Sequence, residues 1–71
     1  MYLRIIISDL TANDADYFLR ELTSRGADGK IVFGGAFSQS VVVTQKGTLE
    51  KLLETASVAF HAGVFRVEIS G

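Results

Sequence analysis

Lys30-Ile31-Val32-Phe33-Gly34-Gly35-Ala36-Phe37-Ser38-Gln39-Ser40-Val41-Val42-Val43-Thr44-Gln45 is the stretch that decides the fold. β-Branched and aromatic residues dominate it, and small turn-forming residues interrupt it. It therefore reads as a hairpin with strands over Lys30 to Phe37 and Ser40 to Gln45. A turn at Ser38-Gln39 would give strands of similar length, with Gly34-Gly35 as a bulge or bend, and it is preferred because β-rich sequence continues through Ala36-Phe37. A tight turn at Gly34-Gly35 would reverse which residues face the core.

On either side of this hairpin the period changes from two to 3.6. Upstream, Thr11 to Arg25 reads as a helix. Thr11 or Asn13 can cap it, Asp14 and Asp16 suit the positive end of its dipole, and Ala15, Phe18, Leu19 and Leu22 form one apolar stripe. Gly26 is placed to take the left-handed closing conformation, and Ala27-Asp28-Gly29 reads as a turn. Downstream, Lys46-Gly47 ends the strand and Thr48 caps a second helix. Its stripe would be Leu49, Leu52, Leu53, Ala56 and Phe60, with Gly63 closing it.

The two ends of the chain supply the remaining strands. Tyr2 to Ser8 alternates Leu3, Ile5 and Ile7 against Tyr2, Arg4, Ile6 and Ser8. Val64 to Ser70 alternates Phe65, Val67 and Ile69 against Arg66 and Glu68. The element order is βαββαβ. Right-handed crossovers over one sheet face make this an α+β, ferredoxin-like plait with strands in the order 4-1-3-2, and residues 1–71 read as a single domain.

Composition bounds what such a domain does. A chain of 71 residues buries only about 60% of its unfolded surface, so small folds commonly need a supplement. The chain has no Cys, which excludes disulfides, and a lone His61 without any thiolate argues against a structural zinc site. Subunit association remains. Apolar residues make up 48% of the chain and charged residues 21%, more apolar than so small an interior needs. The excess points to an apolar surface patch and a homo-oligomer, with a dimer as the first expectation.

The net charge of −1 gives no general attraction for phosphate or anionic lipid. Apolar runs such as Ile5-Ile6-Ile7 fall far short of the roughly 20 residues that a membrane span needs. Arg4 is followed by three apolar residues before Ser8-Asp9, which is not an export-signal pattern, so a cytoplasmic location is expected.

With both helices on one face of the sheet, the other face is open. The first strand offers it Tyr2, Arg4, Ile6 and Ser8, and the last offers Arg66 and Glu68. The hairpin offers at least one of Val41, Val42 and Val43, together with either Val32 or the Ile31/Phe33 pair. Tyr2, Arg4, Ile6, Val41, Val43 and Arg66 are the candidate interface residues, since aromatic and Arg side chains anchor interfaces.

Catalytic chemistry is weakly signposted. Asp9, Ser38 and His61 fall at one end of the sheet and could line a small-molecule site, but loop Ser and Asp residues ordinarily make turns and caps. Gly34-Gly35 lacks the spacing of a phosphate loop. RNA-recognition domains share the βαββαβ order and stack bases on aromatics of the central strands. Here only Tyr2 resembles that arrangement, and three Val residues stand where aromatics would be. The expectation is a non-catalytic interaction or regulatory protein, without cofactor or metal, that binds itself and another protein. A free-standing regulator or inhibitor of the kind carried by phages and mobile elements would fit the size. A small nucleic-acid-binding domain is the alternative.

Overall fold

Alternation along the first strand is realised in the computed structural model, which describes residues 1–35 and 38–71. In β1 (Tyr2–Leu10) Leu3, Ile5 and Ile7 are fully buried. The strand runs two residues beyond Ser8, where a loop was expected. Its pairing with the third strand shifts between Ile7 and Leu10, and Asp9 sits at φ 57°. Asp tolerates this left-handed geometry better than most side chains. The added residue reverses the alternation, so Leu10 turns back into the core instead of facing outward.

The helix α1 (Ala12–Ser24) starts as its sequence implies. The Thr11 side chain accepts a hydrogen bond from the Asp14 N–H at 3.2 Å. Ala15, Phe18 and Leu22 are buried, and Leu19 packs against them half-buried. At the other end, the Gly26 N–H donates to the Thr23 carbonyl and the Ala27 N–H donates to the Leu22 carbonyl, at 3.0 and 3.2 Å. This is a Schellman closure, with Ala27 and Leu22 both buried in the core. The Gln45 Nε2 donates to the Arg25 carbonyl at 3.1 Å, which satisfies another group at the helix end.

Gly26 carries φ +98°, and a Cβ there would lie 3.2 Å from the Gln45 Nε2. Gly26→Ala therefore combines left-handed strain with crowding, and it should cost about 1–2 kcal/mol. Thermal denaturation followed by circular dichroism should show a midpoint lowered by roughly 5–15 °C for a domain this small.

The second helix departs from expectation. α2 (Leu49–Ala56) is capped by Thr48, which accepts from the Lys51 N–H at 3.3 Å, but it stops well before Gly63. The bonds that follow, Val58 N–H to the Thr55 carbonyl and His61 N–H to the Val58 carbonyl, span three residues rather than four. This tighter winding leads into a 3₁₀ turn at Ala59–His61. Leu52, Thr55 and Ala56 are buried in the α-helical part, where Leu49 and Leu53 are exposed, and beyond the change of winding Val58 and Ala59 turn inward while Phe60 is exposed. Of the expected stripe, only Leu52 and Ala56 line the core.

The hairpin consists of β2 (Asp28–Phe33) and β3 (Gln39–Lys46), and Asp28-Gly29 belongs to the strand, not to a turn. Pairing runs from Asp28 opposite Thr44 to Phe33 opposite Gln39, and the Gly34 N–H donates to the Ser38 carbonyl at 3.0 Å. Neither two-residue turn fits this register, because the connection is longer than either. The expected strand continuation through Ala36-Phe37 falls on positions outside the described residues.

β4 (Val64–Ser70) completes an antiparallel sheet ordered β2-β3-β1-β4, the topology of a ferredoxin-like plait. α1 packs over β2, β3 and β1, and α2 packs over β1. On that side Val41 and Val43 are fully buried opposite Ile7 and Ile5. The expectation that Val41 and Val43 belong to the open face is therefore corrected. Burying Leu3, Ile5 and Ile7 under the helices forces the residues paired with them to the same side.

Candidate interaction surfaces

Register fixes the uncovered face row by row. Lys30 lies opposite Val42, Val42 opposite Ile6, and Ile6 opposite Arg66. Two half-buried aliphatic side chains are thus bracketed by two cations. In the next row Asp28, Thr44, Arg4 and Glu68 stand side by side, and beyond it come Lys46, Tyr2 and Ser70. Val32 and Val64 are exposed toward the opposite end. Tyr2, Arg4, Ile6 and Arg66 stand where the sequence places them. Val42 replaces Val41 and Val43, and Val32 is the contribution of β2.

Charge is divided between the two faces. Four of the seven basic side chains, Arg4, Lys30, Lys46 and Arg66, occupy the open face with only two acids, Asp28 and Glu68. The other six acids lie on the helices or at the β1 bulge. The near-neutral total conceals this split, so an anionic partner would meet the sheet side favourably. Arg4 and Arg66 do not form an isolated basic spot. Glu68 is directly across from Arg4 and also takes the Arg66 Nε at 2.9 Å.

The flank at β4 is the second surface. Phe65 remains 38% exposed and Phe60 63% exposed, with their rings edge to face at 5.3 Å. Val67 and Ile69 are half-buried where Ile5 and Leu3, their partners in β1, are fully buried. α2 is short, and the 3₁₀ turn rather than a full helix packs on β4, which leaves this apolar margin partly uncovered. Sequence reasoning treated Phe60 as core and missed this margin. The exposed Phe was not legible because it depends on where α2 changes pitch.

The loop end brings its three residues into one neighbourhood without organising them as a catalytic set. The Ser38 hydroxyl donates to the Asp9 carboxylate at 3.4 Å, a long hydrogen bond between exposed groups. Asp9 and His61 line one open cleft with Asp14 and Tyr17. Among the described residues, His61 makes no side-chain hydrogen bond to either partner, and no group of three or more His, Cys, Asp or Glu side chains is placed to hold a metal ion. None of the described helices is long and apolar enough to cross a membrane.

Compared with known proteins, the chain matches no family model and no curated protein.

Proposed function

We propose that this chain is a small, non-catalytic interaction module that associates with itself through the uncovered side of its sheet, by face or by edge, and acts in the cytoplasm by binding another protein. The observation that carries this reading is the apolar surface left outside the core. Ile6 and Val42 sit half-buried at the centre of the open face, with Val32 and Val64 exposed in the next row and Tyr2 exposed at the far end, and on the helix side Phe65 of β4 and Phe60 form an exposed pair. Apolar surface left outside the core on both sides of the sheet favours a partner. Arg4, Lys30 and Arg66 around the aliphatic centre favour a protein partner with an acidic rim.

Size-exclusion chromatography with light scattering tests self-association. A mass at or above twice the 7.7 kDa chain is the expected result, and a mass that stays at one chain up to high concentration overturns it. Ile6→Asp separates the two modes. It dissolves a face-to-face assembly, leaves an edge-to-edge one intact, and spares the helix-side core in both cases.

The four cations of the open face also support a second reading, a nucleic-acid-binding surface. Titration of short single-stranded oligonucleotides at two salt concentrations separates the readings, since phosphate binding weakens steeply with salt. The aliphatic centre, where stacking aromatics would be needed, favours protein.

A further inference from the structure

We infer that the self-association surface is the free edge of β4, paired antiparallel with β4 of a second copy about a two-fold axis at Val67. This rests on the self-association reading above and specifies its partner and register. The strand Val64-Phe65-Arg66-Val67-Glu68-Ile69-Ser70 lies at the edge of the sheet and contains no Pro. Its backbone groups on the outer side are available for a further strand. Folded back on itself about Val67, the strand is self-complementary at each position that matters. Arg66 falls opposite the partner's Glu68, and Glu68 opposite the partner's Arg66. Phe65 falls opposite the partner's Ile69, and Val67 meets its own copy. Isologous two-fold interfaces require this kind of self-match.

The two sides of the strand agree with one register. On the open face, Arg66 and Glu68 are 74% and 47% exposed and already paired within the chain. A second copy completes a square of four charges with opposite signs on every side. On the helix side, Phe65, Val67 and Ile69 are the residues that the short α2 leaves incompletely covered. A one-residue slip would lose both matches at once. The remaining routes are less favourable. Stacking open face on open face brings together two copies of Arg4, Lys30, Lys46 and Arg66. Pairing β2 with itself about Lys30 sets Lys against Lys, and pairing it about Gly29 matches Asp28 to Lys30 but sets Ile31 against Ala27, which precedes the strand and is already buried. The edge-to-edge dimer has one continuous eight-stranded sheet and leaves both cation-bearing faces free for the acidic partner.

Charge exchange tests the register. Arg66→Glu and Glu68→Arg each place like charges opposite one another twice per interface, and each should raise the dimer dissociation constant roughly tenfold or more. The chain carrying both changes restores opposite charges and should dimerise like the parent. An equimolar mixture of the two single variants should form a heterodimer, readable by native mass spectrometry. Ile6→Asp should leave the dimer intact. All four variants alter exposed or half-exposed side chains, and unchanged circular dichroism confirms their fold. A dimer that both single changes leave at parental affinity, or that Ile6→Asp dissociates, overturns the β4 assignment while self-association stands. A parent chain that remains monomeric overturns both.

Discussion

Gly29→Ala should unpair β2 from β3 and cost most of the stability of the fold. A Cβ at Gly29 would stand 2.0 Å from the Val42 carbonyl oxygen, 2.6 Å from the Val43 Cα and 2.7 Å from the Val43 Cγ1. Two of these three atoms are backbone, so no rotamer change relieves the contact. Gly29 pairs with Val43, which packs in the interior opposite Ile5. The strand can accept a methyl group only by moving away and opening the sheet over the core. Overpacking of this kind costs about 1–3 kcal/mol when side chains can yield, and more when backbone must. A 71-residue chain has a total stability of roughly 4–11 kcal/mol at the usual per-residue value. Urea denaturation should show a large fall in midpoint, or no cooperative transition at all. A midpoint within experimental error of the parent would contradict the close approach.

Ile5→Ala should have an effect of similar size by the opposite mechanism. Ile5 is fully buried, sits mid-strand in β1, and faces Val43 on one side and Val67 on the other. Truncation leaves a cavity under both helices and should cost about 2–5 kcal/mol. Ile5→Val should cost only about 0.5–1.5 kcal/mol, and the ratio between the two separates cavity formation from general strand disruption. A thermal midpoint lowered by roughly 10–30 °C is expected for the alanine variant. Equal losses for alanine and valine would show that packing around Ile5 is not what the side chain contributes.

The contrast between these two positions shows what sequence can carry. Ile5 was legible, because strict alternation with Leu3 and Ile7 needs only local period. The helix starts were legible for the same reason, since Thr11 and Thr48 cap groups three residues away. Gly29 was not. Read alone, Ala27-Asp28-Gly29 is a turn, and only the approach of β3 makes it a strand position where a side chain is forbidden. Val41-Val42-Val43 posed the same difficulty in sharper form. Three identical side chains carry no alternation, so their facing depends on pairing with β1, more than thirty positions earlier in sequence.

The candidate surface divides along the same line. Tyr2, Arg4, Ile6 and Arg66 belong to strands with clear alternation and were placed correctly. Lys30, Val32 and Val42 depend on the hairpin register, which the turn residues Gly34, Gly35 and Ser38 misdirected by suggesting a shorter connection. The exposed Phe60 depends on a change of helical pitch at Ser57-Val58, where no Gly or Pro marks the break.

The first and last strands lie side by side, with Tyr2 opposite Ser70. Anything covalently attached ahead of Met1 or behind Gly71 therefore departs from the same corner of the molecule. Two labels, one at each terminus, would report on a single short separation as long as the domain is folded. They would part abruptly when β1 and β4 separate, giving unfolding a direct optical readout that requires no change to any interior residue.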